Sequence, residues 1–277
     1  MPYLTYNQLE IVLNNDTITE IDKLCELRLK RMPIQYIIGE WPFRDLNLKI
    51  KPPVFIPRPE TEELVELVLK SIEPMSKTDL KIADICCGSG AISLALLKAN
   101  NKISVIAVDR SNEACDLTKL NAQLNYIDNK RLEVLLCEIN ESNLLENINQ
   151  TFDIIVSNPP YIPQTEISQL QPEILLYEDI RALDGGLNGF ETIKLIITMS
   201  SNKLVTNGLL FLEIDPRHPQ LIEDFLKKNT LLGLELSQIY KDFCTTNYQG
   251  SVINDGPSPI IAQMKKEKYS MSNSFNT

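Results

Sequence analysis

The tetrapeptide Asn158-Pro159-Pro160-Tyr161 closes a short β-branched run, Phe152 to Ser157, that reads as a buried strand. Its prolines cannot continue that strand, because each removes a backbone donor and holds the preceding residue extended. The product is a stiff loop at a strand's carboxyl edge, where open α/β sheets keep their ligands. Asn158 brings a side-chain carbonyl acceptor and two N–H donors. The main-chain carbonyls of Asn158 and Pro159 serve neither strand nor helix. Acceptors aimed at one –NH2 group hold a planar amide or amino nitrogen and turn its lone pair toward an electrophile. Tyr161 adds an aromatic face on which a flat group can stack. Asn158, Pro159 and Tyr161 are therefore the candidate catalytic residues, with Pro160 completing the substrate-binding loop. A strand ending in a Pro-Pro turn would explain the tetrapeptide alone; the residues upstream ask for more.

Upstream, Cys86-Cys87-Gly88-Ser89-Gly90 joins an apolar run, Ile82 to Cys86, to a helical pattern through Ala91, Ile92, Leu94, Ala95 and Leu97. Glycines at such a turn let the backbone approach a ligand and set helix N–H groups beside it. Asp109 ends the next strand, about 20 residues on, where a carboxylate accepts hydrogen bonds from a ribose diol. Glu138-Ile139, after the third strand, offers a polar partner and an apolar wall for an adenine. A dinucleotide fold would want a third glycine near residue 93, where this chain has Ser93; an adenosine without pyrophosphate does not need it. The candidate cofactor residues are Cys86, Cys87, Gly88, Ser89, Gly90, Asp109, Glu138 and Ile139, with Asn158 at their border. Together with the Asn158 loop they describe a class I S-adenosylmethionine methyltransferase acting on a planar NH2. The sulfonium already makes the methyl electrophilic, so alignment and acceptors for the N–H protons are what the protein must add. No metal is required.

The elements that must position these groups follow from periodicity. Strand, turn and helix alternate from Lys81: strands at Ile82–Cys86, Ile103–Val108, Leu132–Cys137, Phe152–Ser157 and Leu209–Ile214, with closing strands at Ile239-Tyr240 and Pro259–Met264. Helices are expected over Glu113–Leu124, Phe190–Lys203 and after Pro216. This order predicts a doubly wound, mostly parallel, seven-stranded α/β sheet. Residues 59–265 form that domain. Residues 1–40 read as a short helical N-terminal segment holding two helices. Residues 41–58 read as a β-hairpin linker, because residues 43–56 alternate around Pro52-Pro53, and 266–277 as a disordered polar tail. After the linker, Pro57 to Glu63 opens a helix with acids crowding its first turns, as the macrodipole prefers.

Composition narrows the classes. With 277 residues, 43% hydrophobic, the chain can bury one large core. Net charge is −10 with no long Lys/Arg run, which argues against a duplex-gripping protein or a stable nucleic-acid partner. No apolar run reaches membrane-span length. The six cysteines show no C-x-x-C spacing and read as reduced, buried thiols; the single His218 disfavours His-based zinc sites and His-centred triads. No secretory signal is visible, and the N-terminus is acidic for a transit peptide.

From about Arg31 to Met264 the chain resembles the release-factor glutamine N5-methyltransferases, the HemK/PrmC family. The resemblance rests on Pro33 to Glu40 (PIQYIIGE) with Phe43, Ile56 to Glu62 (IPRPETE), Asp84 to Ile92, Ala107-Val108-Asp109, Ser157 to Ile162, Tyr177-Glu178 and Ala182 to Gly189 (ALDGGLNG). The NPPY loop is shared with adenine methyltransferases, whereas IPRPETE and ALDGG are far more specific. The resemblance implies methylation of the glutamine in the Gly-Gly-Gln loop of a class I peptide-chain release factor. Asn158 and the Pro159 carbonyl would hold the amide, and Phe55 and Arg58 would border the site. Cys86 stands where the family usually has glycine, and backbone contacts survive that change if φ there is negative. The family's helical N-terminal domain is longer than the one here. Asp215 to Pro219 resembles eukaryotic, organellar members, which implies a mitochondrial setting, or a cytoplasmic one for a bacterial chain. Three other readings compete. They are an amino methyltransferase for adenine or guanine in nucleic acid, a non-catalytic S-adenosylmethionine-binding subunit, and a nucleotide-dependent oxidoreductase. The acidic balance, the missing target-recognition domain and the linker oppose the first, the intact NPPY the second, and the incomplete glycine pattern the third.

Overall fold

The computed structural model describes residues 15–143, 145, 148–241 and 259–267. In chain order these form α1 (Asn15–Leu29), α2 (Ile34–Ile38), β1 (Glu40–Phe43), β2 (Leu46–Lys49), α3 (Glu60–Ile72), β3 (Leu80–Ile85), α4 (Ala91–Ala99), β4 (Ile103–Asp109) and α5 (Asn112–Leu124). Then come β5 (Leu132–Leu136), β6 (Phe152–Ser157), α6 (Gln164–Ile167), α7 (Pro172–Tyr177), α8 (Glu191–Lys203), β7 (Leu204–Ile214), α9 (His218–Lys228), β8 (Leu234–Tyr240) and β9 (Ile260–Lys266).

The main sheet runs β5-β4-β3-β6-β7-β9-β8, parallel except that β9 is antiparallel to both its neighbours. The expected α/β architecture with a seven-stranded sheet is therefore present. Side chains alternate between two cores as the strand period requires. On β3, Leu80 and Ile82 face the core made with α3 and α4, while Ala83 and Ile85 face the one made with α8 and α9. Phe152, Phe211 and Leu94 are wholly buried, each adding about 1.5–3 kcal/mol to the driving force.

Connectivity makes the crevice. The chain steps outward from β3 to β4 to β5 and then returns to lay β6 on the other side of β3. The segments leaving β3 and β6 diverge at this switch point, which leaves room for a ligand at their carboxyl ends. Register keeps the loops level: Ile85 pairs with both Val108 and Ser157, and Ser157 pairs with Leu212.

Several expectations shift. The hairpin is β1–β2, turning at Arg44-Asp45, and Pro52-Pro53 lies beyond it in the connection to α3. Alternation alone misplaced the turn, because Val54 and Ile56 are buried without belonging to a strand. The hairpin is docked by α5. Asn121 and Asn125, one turn apart, exchange hydrogen bonds with Lys49 and Asn47 as an adjacent strand would. The strand expected from Leu209 begins at Leu204, and both closing strands are longer than expected. The five thiols among the described residues are free but not uniformly buried: Cys87 and Cys115 are buried, Cys86 and Cys137 half-buried, and Cys25 exposed on α1. That helix leaves Ile18, Ile21 and Leu24 about as exposed, since among the described residues it meets little beyond α2 and the ion pairs of Arg28 and Arg31 with Glu173. Residues 1–14, Cys244 and the tail beyond Glu267 lie outside the described residues.

Candidate active site

The β3–α4 turn, the ends of β4 and β5, the loop after β6 and the connection before α3 converge on one cavity of about 250 Å³. Phe55, Arg58, Cys86, Cys87, Gly88, Ser89, Asp109, Glu138, Ile139 and all of Asn158 to Tyr161 line it. Gly90 does not. It caps α4 at φ 84°, and a Cβ there would come 2.9 Å from Thr118 Cγ2, so its smallness serves helix packing.

Asp109 braces the turn it faces. Its Oδ2 accepts from Gly88 N at 2.9 Å and its Oδ1 from Ser111 N at 2.9 Å. Burial pushes its carboxyl above the usual range, against those bonds. Each carboxylate oxygen keeps a further lone pair for a ligand hydroxyl. A Cβ on Gly88 (φ 57°) would meet no protein atom within 4 Å, so this part of the cradle is open. Ser93, at the place of the absent third glycine, donates its N–H and hydroxyl to Asp84, tying α4 to β3. Burial raises the Asp84 carboxyl to about 7.

Cys86 adopts φ 63°. The expectation that a negative φ would let a cysteine replace glycine is therefore not met: the turn keeps the left-handed backbone and the cysteine bears its strain, about 1–2 kcal/mol. Glu138, expected as a partner for the adenine amine, is half exposed and pairs with Arg110 at 3.0 Å. Cys137, expected as a strand end and not as a site residue, lines the wall beside it.

The Asn158 loop is held from three sides. Ile162 donates to Leu183 O and accepts from Gly185 N, which joins the ALDGG segment to the loop. Asn158 Nδ2 donates to Thr61 Oγ1 at 3.1 Å, Thr61 donates to Glu213 Oε2 at 2.8 Å, and Tyr161 donates its hydroxyl to Glu213 Oε1 at 3.4 Å. Thr61 and Glu213 were missed. The available signal was an acid inside the apolar run of β7 and a threonine inside the IPRPETE segment. No backbone N–H among the described residues donates to the Asn158 or Pro159 carbonyls, which stay free as the Pro-Pro sequence dictates.

Arg58, which a helix start could not explain, reaches Glu178 at 2.7 Å and lies 4.6 Å from the Phe55 ring centre. Glu178 is 1% exposed and also accepts from Ile56 N. Asp179 N donates to Pro53 O. Two segments far apart in sequence thus clasp over one side of the cavity.

The comparisons with known proteins decide the family. A methyltransferase small domain model matches residues 60–186. The "MTRF1L release factor glutamine methyltransferase" of Homo sapiens is 44% identical over 81% of this chain and 68% of its own length. A release factor glutamine methyltransferase of Thermodesulfovibrio yellowstonii is 36% identical over 86% and 84% respectively. The chain belongs to the release factor glutamine methyltransferase family.

Family membership makes S-adenosylmethionine the methyl donor, since the enzyme class takes its methyl from it. The residues present fit it: an open glycine cradle at Gly88, a carboxylate with lone pairs to spare at Asp109, and an apolar wall at Ile139. Among solved structures, a methyltransferase from Pyrococcus furiosus has the same fold at a TM-score of 0.54 and 14% identity, covering 92% of this chain and all of that one. The ribosomal protein L11 methylase of Lactobacillus delbrueckii subsp. bulgaricus follows at 0.51 and 20%, covering 80% and 86%. At such identities the likeness shows the fold alone.

Proposed function

We propose that this protein methylates the side-chain amide nitrogen of the glutamine in the Gly-Gly-Gln loop of a class I peptide-chain release factor. The observation that carries this is the free Asn158 and Pro159 carbonyls at the carboxyl end of β6, level with the glycine cradle across the switch point. Relatives named for release-factor glutamine give the substrate.

S-adenosylmethionine, when bound, supplies a methyl made electrophilic by its sulfonium. An amide nitrogen is a poor nucleophile, because its lone pair is shared with its carbonyl, so positioning must supply much of the rate. Asn158 Oδ1 and the Pro159 carbonyl accept the two N–H groups and hold the nitrogen facing the cofactor side of the cavity. As the nitrogen takes the methyl its N–H protons become more acidic, those acceptors strengthen in the transition state, and one of the two protons is then lost to solvent to leave the neutral N-methyl amide. Tyr161 and Phe55 line the cavity where the amide enters, and the Arg58–Glu178 clasp holds the rim. Asp109, Gly88 and Ile139 seat the adenosine. A narrow glycine-flanked loop enters this cleft without side-chain clashes. Contacts of the docked protein away from the reacting centre offset the ordering of the amide.

The test offers an intact release factor, its isolated loop peptide and adenine-containing oligonucleotides at equal concentration. The intact protein should be methylated with much the highest kcat/KM. Methylation of the oligonucleotide, or equal kcat/KM for peptide and protein, would overturn this reading. A mitochondrial site of action for a eukaryotic chain, or a cytoplasmic one for a bacterial chain, is part of the proposal, and cell fractionation checks it.

A further inference from the structure

We propose that Thr61 and Glu213 are positioning residues that set the orientation of the Asn158 amide, so that its carbonyl oxygen rather than its amino group faces the substrate nitrogen. The proposal rests on the reading of Asn158 as an acceptor for the substrate amide.

Register puts the groups together. Ser157 pairs with Leu212, so the next residues, Asn158 and Glu213, emerge side by side at the carboxyl edge of the sheet. Phe211 lies in the core made with α3 and α4, while Leu212 and Ile214 face the opposite core. Strand alternation therefore turns Glu213 toward α3, where Thr61 occupies the first turn. Thr61 is 2% exposed and Glu213 1% exposed. The groups facing Glu213 are Thr61, Tyr161 and Asn158, with the charge of Glu60, next to Thr61, acting on it as well.

With Glu213 ionised, the polarity of this chain of bonds has one solution. An ionised carboxylate only accepts. Thr61 has one hydroxyl proton and gives it to Glu213 Oε2 at 2.8 Å. Its lone pairs can then only accept, and Asn158 Nδ2 donates to them at 3.1 Å. Tyr161 gives its proton to the other carboxylate oxygen. A flipped Asn158 would set its carbonyl oxygen against Thr61 Oγ1, acceptor facing acceptor, and would present an amino group to a substrate amino group. A carboxyl buried in a core on two hydroxyls and an amide is a costly group to keep; fixing the polarity of the catalytic amide gives it a purpose.

Two measurements on the full chain test this. Thr61→Val keeps the shape and deletes the hydroxyl. It should lower kcat toward the release factor by about 10–100-fold, approaching the effect of losing one preorganised hydrogen bond in a transition state. KM and the S-adenosylmethionine Kd should each stay within about threefold, and Thr61→Ser should restore kcat to within about threefold of wild type. In an Asn158→Ala background Thr61→Val should add less than about twofold, because a residue acting through another has nothing left to act on. The second measurement needs no substrate. The Asn158 side-chain NH2 signal in the nitrogen–proton correlation spectrum, assigned by its loss in Asn158→Ala, should exchange with water at least about tenfold faster in Thr61→Val. An unchanged kcat in Thr61→Val, full multiplicativity with Asn158→Ala, or an unchanged Asn158 signal would each overturn the proposal. A wild-type enzyme that leaves release factors unmodified would refute the substrate assignment instead, and the spectrum would still decide the orientation of Asn158.

Discussion

Gly189 lies flat against the main-chain carbonyl of Tyr161, so close that a Cβ built on it would fall inside the contact radius of that oxygen. Its φ of 69° is also one that side chains resist. The ALDGGLNG segment thus works as a backbone rest for the Asn158 loop. Gly189→Ala should lower stability by about 2–5 kcal/mol, combining left-handed strain with overpacking, and should lower kcat in the fraction that folds. Chemical denaturation with parallel kinetics checks this; an unperturbed variant would mean that the two segments do not touch.

Asn158→Ala removes the acceptor and leaves the glycine cradle alone. Turnover should fall by about 2.7–4 kcal/mol in transition-state free energy, while calorimetry shows S-adenosylmethionine binding close to wild type. Near-normal kcat would take Asn158 out of the mechanism.

Asp109→Ala should weaken S-adenosylmethionine binding by about 1.5–3 kcal/mol, the range for hydrogen bonds to a charged group. Because the same carboxylate accepts from Gly88 N and Ser111 N, the variant should also speed amide exchange at Gly88. An affinity equal to wild type would reject the ribose role.

The left-handed Cys86 predicts an ordering of variants. Cys86→Gly relieves strain of about 1–2 kcal/mol and loosens the unfolded chain by about 0.4–1 kcal/mol, so its net stability change should be small. Cys86→Val places a β-branched residue at positive φ and should be clearly less stable. Thermal melts that rank Val at or above Gly would contradict φ 63° at this residue.

Glu213 makes activity and stability run in opposite directions with pH. Burial raises its carboxyl to about 7, against the hydrogen bonds from Thr61, Tyr161 and Asn158 and with the charge of Glu60 adding to the rise. A raised acid favours the fold in its neutral form, so its contribution is fully present below the unfolded pKa near ~4.3 and is lost as pH rises through about 7. Asp84, also raised to about 7, adds in the same sense. The ionised Glu213 is the form that only accepts, so kcat should rise through about pH 7 while stability declines. Glu213→Gln should flatten the kcat profile, and Asp84→Asn should not; a profile unchanged in Glu213→Gln would reject the assignment.

What the amino-acid sequence determined by itself was whatever follows from local rules. Phe152 to Ser157 had to be a strand and Asn158 to Tyr161 a loop with free carbonyls, because β-branching and proline act within a few residues. Strand–turn–helix alternation was enough for the α/β class, and the glycine turn and Asp109 were enough to nominate one side of the cavity that both line. Local rules failed where a position is settled by partners far along the chain. Val54 and Ile56 looked like strand residues because the core buries them, although the hairpin had already ended at Lys49. Cys86 accepts a positive φ because its turn is braced across the sheet by Asp109. Arg58 acquires a purpose only when Glu178, 120 residues away, folds against it. The Thr61–Glu213–Asn158 chain joins a helix start to two parallel strands whose register alone brings them level. Tertiary structure decided those points, because each depends on a distance between groups that no local propensity encodes.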